Sequence, residues 1–177
     1  MCELLTNYTR GNCAENGGVD ELIVYNLENR STYTLEADGL SIATITMAIG
    51  KKAFRLTPDM ESATAGSQPA HSRENNSKMH PQTAMVVFKD DEDTTVDICN
   101  LLLGGYFGVI AKKSTPTGAV YRHYGLVNGM TVESIEDVLG QMYEDLRGKT
   151  INFVGKELIW APSISSALVD AILIPAS

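Results

Sequence analysis

Short runs of β-branched and aromatic residues recur along this 177-residue chain, and they constrain its fold more than any other feature. The clearest runs in the first half occupy residues 21–27, 40–49, 53–58 and 82–89. In the last run, Ala84 and Val86 alternate with Met85 and Val87, as on the two faces of a strand. Such composition and alternation are typical of β-strands. The run at 40–49 is apolar at both alternating positions, which predicts a strand covered on two sides.

The second half of the chain carries the same signal with glycine punctuation. Residues 106–113 and 119–127 flank a turn that contains proline and glycine, which is typical of a β-hairpin. Glycines divide residues 129–155 into short segments that predict a meander, with a helical turn at 134–139 as an alternative. The apolar segment at 167–176 must be covered by its own core or by a neighbouring molecule.

One segment changes period and predicts a helix. Within residues 92–103, Val96, Cys99 and Leu103 fall on one helical face. Acidic residues fill its first turn and glycines follow its last, as the helix dipole and the C-cap favour. The whole pattern predicts a mainly β protein, a β-sandwich or rolled barrel with one flanking α-helix at about 92–103. We expect residues 1–177 to form a single domain.

A long polar tract, residues 64–82, interrupts the strand pattern in mid-chain and holds one large apolar residue, Met79. Loops without secondary structure are uncommon beyond about a dozen residues in compact domains, and long ones are usually functional or disordered. A tract this polar buries too little apolar surface to order itself. We therefore predict a polar arm at about 60–81 that orders only against another molecule.

Charge and composition narrow the classes of function. Fourteen basic and 22 acidic residues give a formal net charge of −8, which disfavours a broad phosphate-binding surface. Three cysteines, Cys2, Cys13 and Cys99, lack metal-ligand spacing, and we expect them to be reduced. No stretch approaches the roughly 18 apolar residues of a membrane helix, and no secretory signal follows Met1. We predict synthesis inside the cell and no membrane partner.

The chain lacks the common catalytic and cofactor-binding motifs. It contains no G-x-S-x-G, G-x-G-x-x-G or H-E-x-x-H pattern, and a strand-like segment instead of a helix follows Gly148-Lys149-Thr150. The three histidines are too few and too dispersed for a typical zinc site. The acidic run at 90–93 fits helix capping better than calcium binding. We predict no enzyme activity, no catalytic residues, no metal and no cofactor.

Spaced apolar and glycine positions along nearly the whole chain resemble the tail tube proteins of long-tailed phages that infect Bacteroidetes. The positions lie at Cys13 and in GGVDELIVYN, KKAFRLTPDMESATA, PQTAMVVF, LLLGGYFGVIA, YGLVNGM and EDLRGKTINFVGKE. This family is similar to the needle-tube subunit of type VI secretion. The resemblance implies hexameric rings that stack into a tail tube, the conduit for DNA ejection.

The resemblance also implies partners and a location. Copies of the chain, the tape-measure protein and other tail proteins would be its partners, and DNA would pass without specific binding. The protein would be made in the host cytoplasm and reside in the virion tail. Residues 53–58 and 82–89 would be inner-barrel strands, and the arm between them would reach the next ring.

Two sets of site residues follow from the resemblance. The arm residues expected at the contact between rings are Thr64, Gln68, His71, Arg73, Asn75, Lys78 and His80. The acidic residues expected to face the lumen are Glu61, Glu74, Asp90 and Asp91. An acidic wall repels phosphates within a Debye length of about 8 Å, which would let DNA slide, although acidic residues also serve solubility.

Three other functions fit the sequence. A head-tail joining or tail-terminator protein would form one ring without stacking. A carbohydrate or host-surface binding module would use Tyr121, Tyr124 and Trp160 if they line one groove. A small enzyme would use the polar tract as a mobile lid over His71, His80 and His123.

Overall fold

The computed structural model describes residues 18–58, 62–72, 77–88, 93–115, 118–138 and 148–173. The strands are β1 Glu21–Asn26, β2 Arg30–Leu35, β3 Ile42–Met47, β4 Phe54–Leu56, β5 Ala63–Ser67, β6 Ala70–Ser72, β7 Ser77–Phe88, β8 Phe107–Thr115, β9 Gly118–Tyr124, β10 Met130–Val138, β11 Gly148–Glu157 and β12 Ser163–Ile164. The α-helices are α1 Asp93–Leu102 and α2 Ser166–Ile172, and a 3-10 turn covers Leu27–Asn29. The predicted mainly β fold and the helix near 92–103 are confirmed, whereas α2 is a second helix that the sequence did not predict.

The large sheet has two layers, and all its strand pairs are antiparallel. The first layer has the order β4-β1-β8-β9-β12. The second layer, which we call the open layer, has the order β10-β11-β7-β5. The layers meet where Met130 of β10 pairs with Phe107 of β8. This arrangement is consistent with a β-sandwich.

A first core fills the space between the two layers. Val109 of the first layer and Ile151 of the open layer are both fully buried there. The rings of Phe107 and Phe153 meet edge to face with their centroids 6.3 Å apart. Helix α1 contributes Cys99 and Leu102 to the same core, whereas Val96 and Leu103, predicted on the same face as Cys99, are exposed.

A second core covers the opposite face of the first layer. Ile23 and Ile110 of that layer pack with Ile45 of the β2–β3 hairpin and Ile172 of α2. Only one face of β3 is buried, because Thr44 and its neighbour Thr46 are exposed. The prediction that this strand is covered on both sides is therefore wrong.

Helix α2 explains how the apolar C-terminal segment is covered. The Ser165 side chain accepts a hydrogen bond from the Leu168 N–H at 3.4 Å and caps the helix N-terminus. Val169 and Ile172 are then buried in the second core. The alternative of a helical turn at 134–139 is wrong for residues 134–138, because these belong to strand β10 and pair with β11. Residue 139 lies outside the described residues.

The polar tract also differs from the prediction. It forms β5, β6 and the first half of β7, so its expected lack of regular structure is wrong for residues 63–67, 70–72 and 77–82. Backbone hydrogen bonds to β7 organise it, and these require little apolar burial. The β6–β7 hairpin extends past the open layer, because the pairing of β11 with β7 ends at Glu157 and His80.

Candidate functional site

Residues of the open layer align in rows, with one residue from each strand. One row faces the first core and consists of Ile135, Ile151, Val86 and Ala63. The neighbouring row faces the opposite way and consists of Ser134, Asn152, Met85 and Thr64. The Nδ2 group of Asn152 donates to Oγ of Ser134 at 2.9 Å within that row. The open layer therefore has one apolar face and one polar face.

The polar face of the open layer is almost uncharged. Its rows comprise Thr131, Ser134, Glu136, Thr150, Asn152, Val154, Thr83, Met85, Val87, Thr64 and Gly66. None of these residues belongs to either core. The next row of this face pairs Lys156 with Pro81, so Glu136 and Lys156 are its charged members. Within the described part of the chain, this face consists of small polar and apolar groups that are partly or fully exposed, except that Val87 is buried.

Each side of the open layer ends in a strand with a single extended partner. β10 pairs with β11 along its length and with β8 at Met130 alone. β5 pairs with β7 on one side, and no other described strand joins it. Thr131–Val138 and Ala63–Ser67 therefore present backbone edges without a described strand partner. Such edges are templates for pairing with another chain.

Glu157 holds the loop at residues 125–129, where the chain passes from the first layer to the open layer. Its Oε1 atom accepts backbone N–H bonds from Val127 at 3.0 Å, Asn128 at 2.9 Å and Gly129 at 3.3 Å. Burial raises the pKa of Glu157, although the three N–H donors oppose that shift. The carboxylate thus satisfies donors that the loop would otherwise bury unpaired.

Two further side chains hold the same loop. Gln82 accepts the Gly125 N–H through Oε1 at 2.8 Å, and Arg30 donates from Nη1 to the Leu126 carbonyl oxygen. Gly125 has φ +66°, and a Cβ atom there would lie 2.8 Å from the backbone nitrogen of Met130. These contacts hold the loop that leads directly into β10.

The structure does not bring the three histidines together as the enzyme hypothesis requires. His123 is fully buried in the second core, where burial lowers its pKa to about 3. The His80 ring instead meets the Trp160 ring, with centroids 5.9 Å apart. His71 lies in β6, with its backbone paired to Lys78.

Tyr121, Tyr124 and Trp160 also do not form the groove that the carbohydrate-binding hypothesis requires. Tyr121 packs on the second core, whereas Tyr124 belongs to the first core on the opposite face of the layer. Trp160 is half exposed and contacts His80. Tyr121 and Tyr124 therefore cannot line one surface groove.

The structure describes some of the residues predicted to lie at the contact between rings. Thr64, Gln68 and Lys78 are exposed, and His80 is partly buried. Arg73 and Asn75 lie outside the described residues. The proposed lumen-facing acids, Glu61, Glu74, Asp90 and Asp91, also lie outside them. The two inner strands expected at 53–58 and 82–89 belong to different layers, because β4 pairs with β1 and β7 pairs with β11.

The alignment of the open layer and its two edges is the site that sequence reasoning missed. The alternation within each strand was visible, but the order of strands depends on contacts between distant segments. In the ranges that the structure describes, no group of three His, Cys, Asp or Glu residues could hold a metal ion, and no helix has the length and apolar character to cross a membrane. Comparisons with protein-family models, curated proteins and solved structures find no match to this chain.

Proposed function

We propose that this chain is a non-enzymatic structural subunit whose copies join through the open layer, with β10 of one copy beside β5 of the next. The observation that carries the proposal is a layer with two edges that lack described partners, one covered face and one uncovered face. Closing a ring would pair both edges in every copy. Head-to-tail contacts of this kind form a ring when the rotation closes.

The strand directions support this joining. Three antiparallel steps separate β10 from β5, so these two strands run in opposite directions within one copy. Rotation about a ring axis that runs along the strands preserves the direction of each strand. β10 of the next copy would therefore meet β5 in antiparallel orientation, like every other pair in the layer.

The polar face supports a conduit. In a closed ring the first core lies behind the layer, so the uncovered face would line the lumen. Its side chains are mostly Thr, Ser and Asn with the single described lysine Lys156, so it offers few cationic groups for phosphates and no large apolar patch for a passing protein. DNA and a tape-measure protein would pass without specific binding. Rings stacked into a virion tail tube, as the resemblance to phage tail tube proteins implies, would use this face for DNA ejection.

The β6–β7 hairpin supports stacking. Its described residues extend beyond the pairing of β11, and Gln68 and Lys78 are exposed there. A polar hairpin of this kind buries little surface in its own subunit and can bury more against another ring. We assign the hairpin to contacts between rings of the tube, in the tail of the virion.

A pair of proline variants tests the ring contact. Successive residues of a strand direct their backbone polar groups to opposite neighbours, so Glu136→Pro and Asp137→Pro remove N–H groups on opposite sides of β10. We expect one variant to lower the melting temperature through lost pairing with β11. The other should keep a near-wild-type melting temperature and fail to assemble.

Negative-stain microscopy and light scattering of concentrated protein provide the measurement. Tubes from the wild-type chain support the tail tube, whereas isolated rings support a tail-terminator or head-tail joining role. A wild-type protein that stays monomeric at high concentration would overturn the proposal. Assembly by both proline variants at wild-type concentration would exclude β10 as the contact.

A further inference from the structure

A cavity of about 510 Å³ opens beside the free edge of β5. The consecutive residues Ala63, Thr64 and Ala65 line it, which places it at the edge of that strand. Val120 and Tyr124 of β9 form part of the opposite wall. The cavity thus lies between the edge of β5 and the face of the first layer formed by β8 and β9.

Cationic side chains surround this cavity. Lys112, Lys113 and Arg122 line it, and none of its described lining residues is acidic. All three already have partners in their own subunit: Lys112 Nζ lies 3.3 Å from Oε2 of Glu21, Arg122 donates to the Ala161 carbonyl oxygen at 3.2 Å, and Lys113 also makes a polar or electrostatic interaction. Three cations at one opening stand out in a chain of net charge −8. The opening therefore favours an acidic occupant.

The opposite edge of the open layer carries acidic residues. Glu133, Glu136 and Asp137 are exposed along β10, and Oδ2 of Asp137 lies 3.5 Å from Nζ of Lys149 in β11. The register of β10 with β11 shifts between Val132 and Ser134, so Glu133 is the extra residue of a β-bulge. Bulges re-aim side chains and are common at sheet edges. The two edges of the layer are thus complementary in charge.

We propose that this cavity receives Glu133 of the next copy, an inference that rests on the proposed ring. Val132 lies in the same row as Ala65, and Ser134 lies in the same row as Thr64. If the strands run parallel to the ring axis, rotation keeps each row at its height, whereas a strand tilt shifts the row by the stagger of the closed sheet. With strands parallel to the axis, Glu133 of the next copy therefore arrives level with the residues that line the cavity.

This contact gives the assembly its direction. A cationic opening beside β5 attracts the acidic β10 edge, whereas two β10 edges repel each other through their carboxylates. Screening by salt weakens attraction between exposed charges. Assembly should therefore be head to tail, and it should weaken as salt concentration rises.

A charge-reversal experiment tests the pairing. Arg122→Glu and Glu133→Lys each place like charges across the contact, and we expect each to raise the concentration needed for assembly about tenfold. In an equal mixture the two variants can alternate around the ring. The cavity of the Arg122→Glu subunit then receives the lysine of the Glu133→Lys subunit, and the unchanged Arg122 receives the unchanged Glu133. The mixture should therefore assemble at a concentration within about threefold of wild type. Lys51→Glu and Glu36→Lys are matched controls, because these residues are exposed on turns outside the open layer and should leave assembly unchanged.

Glu133→Gln provides a second measurement that does not disturb Arg122. It should assemble less well than wild type at low salt and depend less on salt concentration. If wild type fails to assemble, the ring itself is wrong. If wild type assembles and all the charge variants match their controls, the ring stands and the cavity contact is wrong. Two defective variants that fail to rescue each other, or a Glu133→Gln variant with wild-type salt dependence, would also overturn the contact.

Discussion

The hydroxyl oxygen of Tyr25 lies 2.8 Å from Nε2 of His123, and both side chains are buried in the second core. Burial raises the pKa of Tyr25 to about 12 and lowers that of His123 to about 3. Both groups are therefore neutral at physiological pH. The pair adds a direct side-chain contact between β1 and β9, which are both paired through the backbone to β8.

Tyr25→Phe should destabilise the protein by about 1–3 kcal/mol, because it leaves the buried Nε2 of His123 without its hydroxyl partner. Chemical denaturation monitored by circular dichroism would measure the change. Tyr106→Phe is the control, since Tyr106 is 58% exposed and should change stability by less than about 0.5 kcal/mol. Equal stability of the two variants would contradict a structural role for the pair.

The depressed pKa of His123 predicts a loss of stability in acid. Between the unfolded value near 6.5 and the folded value of about 3, the unfolded chain binds more protons than the folded chain. Stability contributed by neutral His123 is present above pH 6.5 and falls as pH decreases toward 3. The loss is on the order of a few kcal/mol, because one pKa unit corresponds to about 1.4 kcal/mol. Unfolding curves of wild type and His123→Gln across this range should differ in slope, and parallel curves would refute the assignment.

Glu157→Ala should destabilise the protein by about 2–4 kcal/mol, because three loop N–H groups lose their shared acceptor. Hydrogen exchange should accelerate at Val127, Asn128 and Gly129 more than in the interior of β11. The raised pKa of Glu157 means that its contribution to stability is largest below pH 4.5 and declines as pH rises through its folded value. Unchanged exchange at the three amides would show that the carboxylate does not hold the loop.

Gly125→Ala should cost more than Gly50→Ala, although both glycines have positive φ. A Cβ atom at Gly125 would meet the Met130 backbone nitrogen at 2.8 Å, whereas nothing lies within 4 Å at Gly50. Gly50→Ala is the control: it should lose only the stability that a left-handed backbone conformation costs a residue with a Cβ atom, about 1–2 kcal/mol. Thermal unfolding of the two variants provides the comparison, and a Gly50→Ala variant that is as destabilised as Gly125→Ala would count against close packing at the loop.

A cysteine at Thr83 should report whether the polar face becomes enclosed. In a Cys2→Ser, Cys13→Ser background, Thr83→Cys should react with a polymer-linked maleimide in dilute subunits and about tenfold more slowly in assembled tubes, because the lumen excludes bulky reagents. Thr46→Cys is the control, since that exposed position lies on the hairpin over the second core. Equal labelling of Thr83→Cys in both states would exclude a lumenal position.

Local patterns in the sequence determined most strands and α1. Alternation in 82–89 and the change of period in 92–103 are properties of neighbouring residues, so they predict β7 and α1 without knowledge of the fold. The same reasoning placed Cys99 on the apolar face with Val96 and Leu103, but only Cys99 of these three is buried, so the predicted face is wrong for the other two. It failed at β5 and β6, because their order comes from backbone bonds to β7, which do not depend on apolar side chains.

Only the tertiary structure decided which strands are neighbours and which edges remain. The rows that align Val132 with Ala65 and Ser134 with Thr64 pass through two intervening strands, and no local pattern records such an alignment. The cationic cavity likewise combines residues from β5, β8 and β9. Local periodicity specifies elements because adjacent residues share one backbone conformation, whereas edges, rows and cavities arise from contacts between segments far apart in the chain.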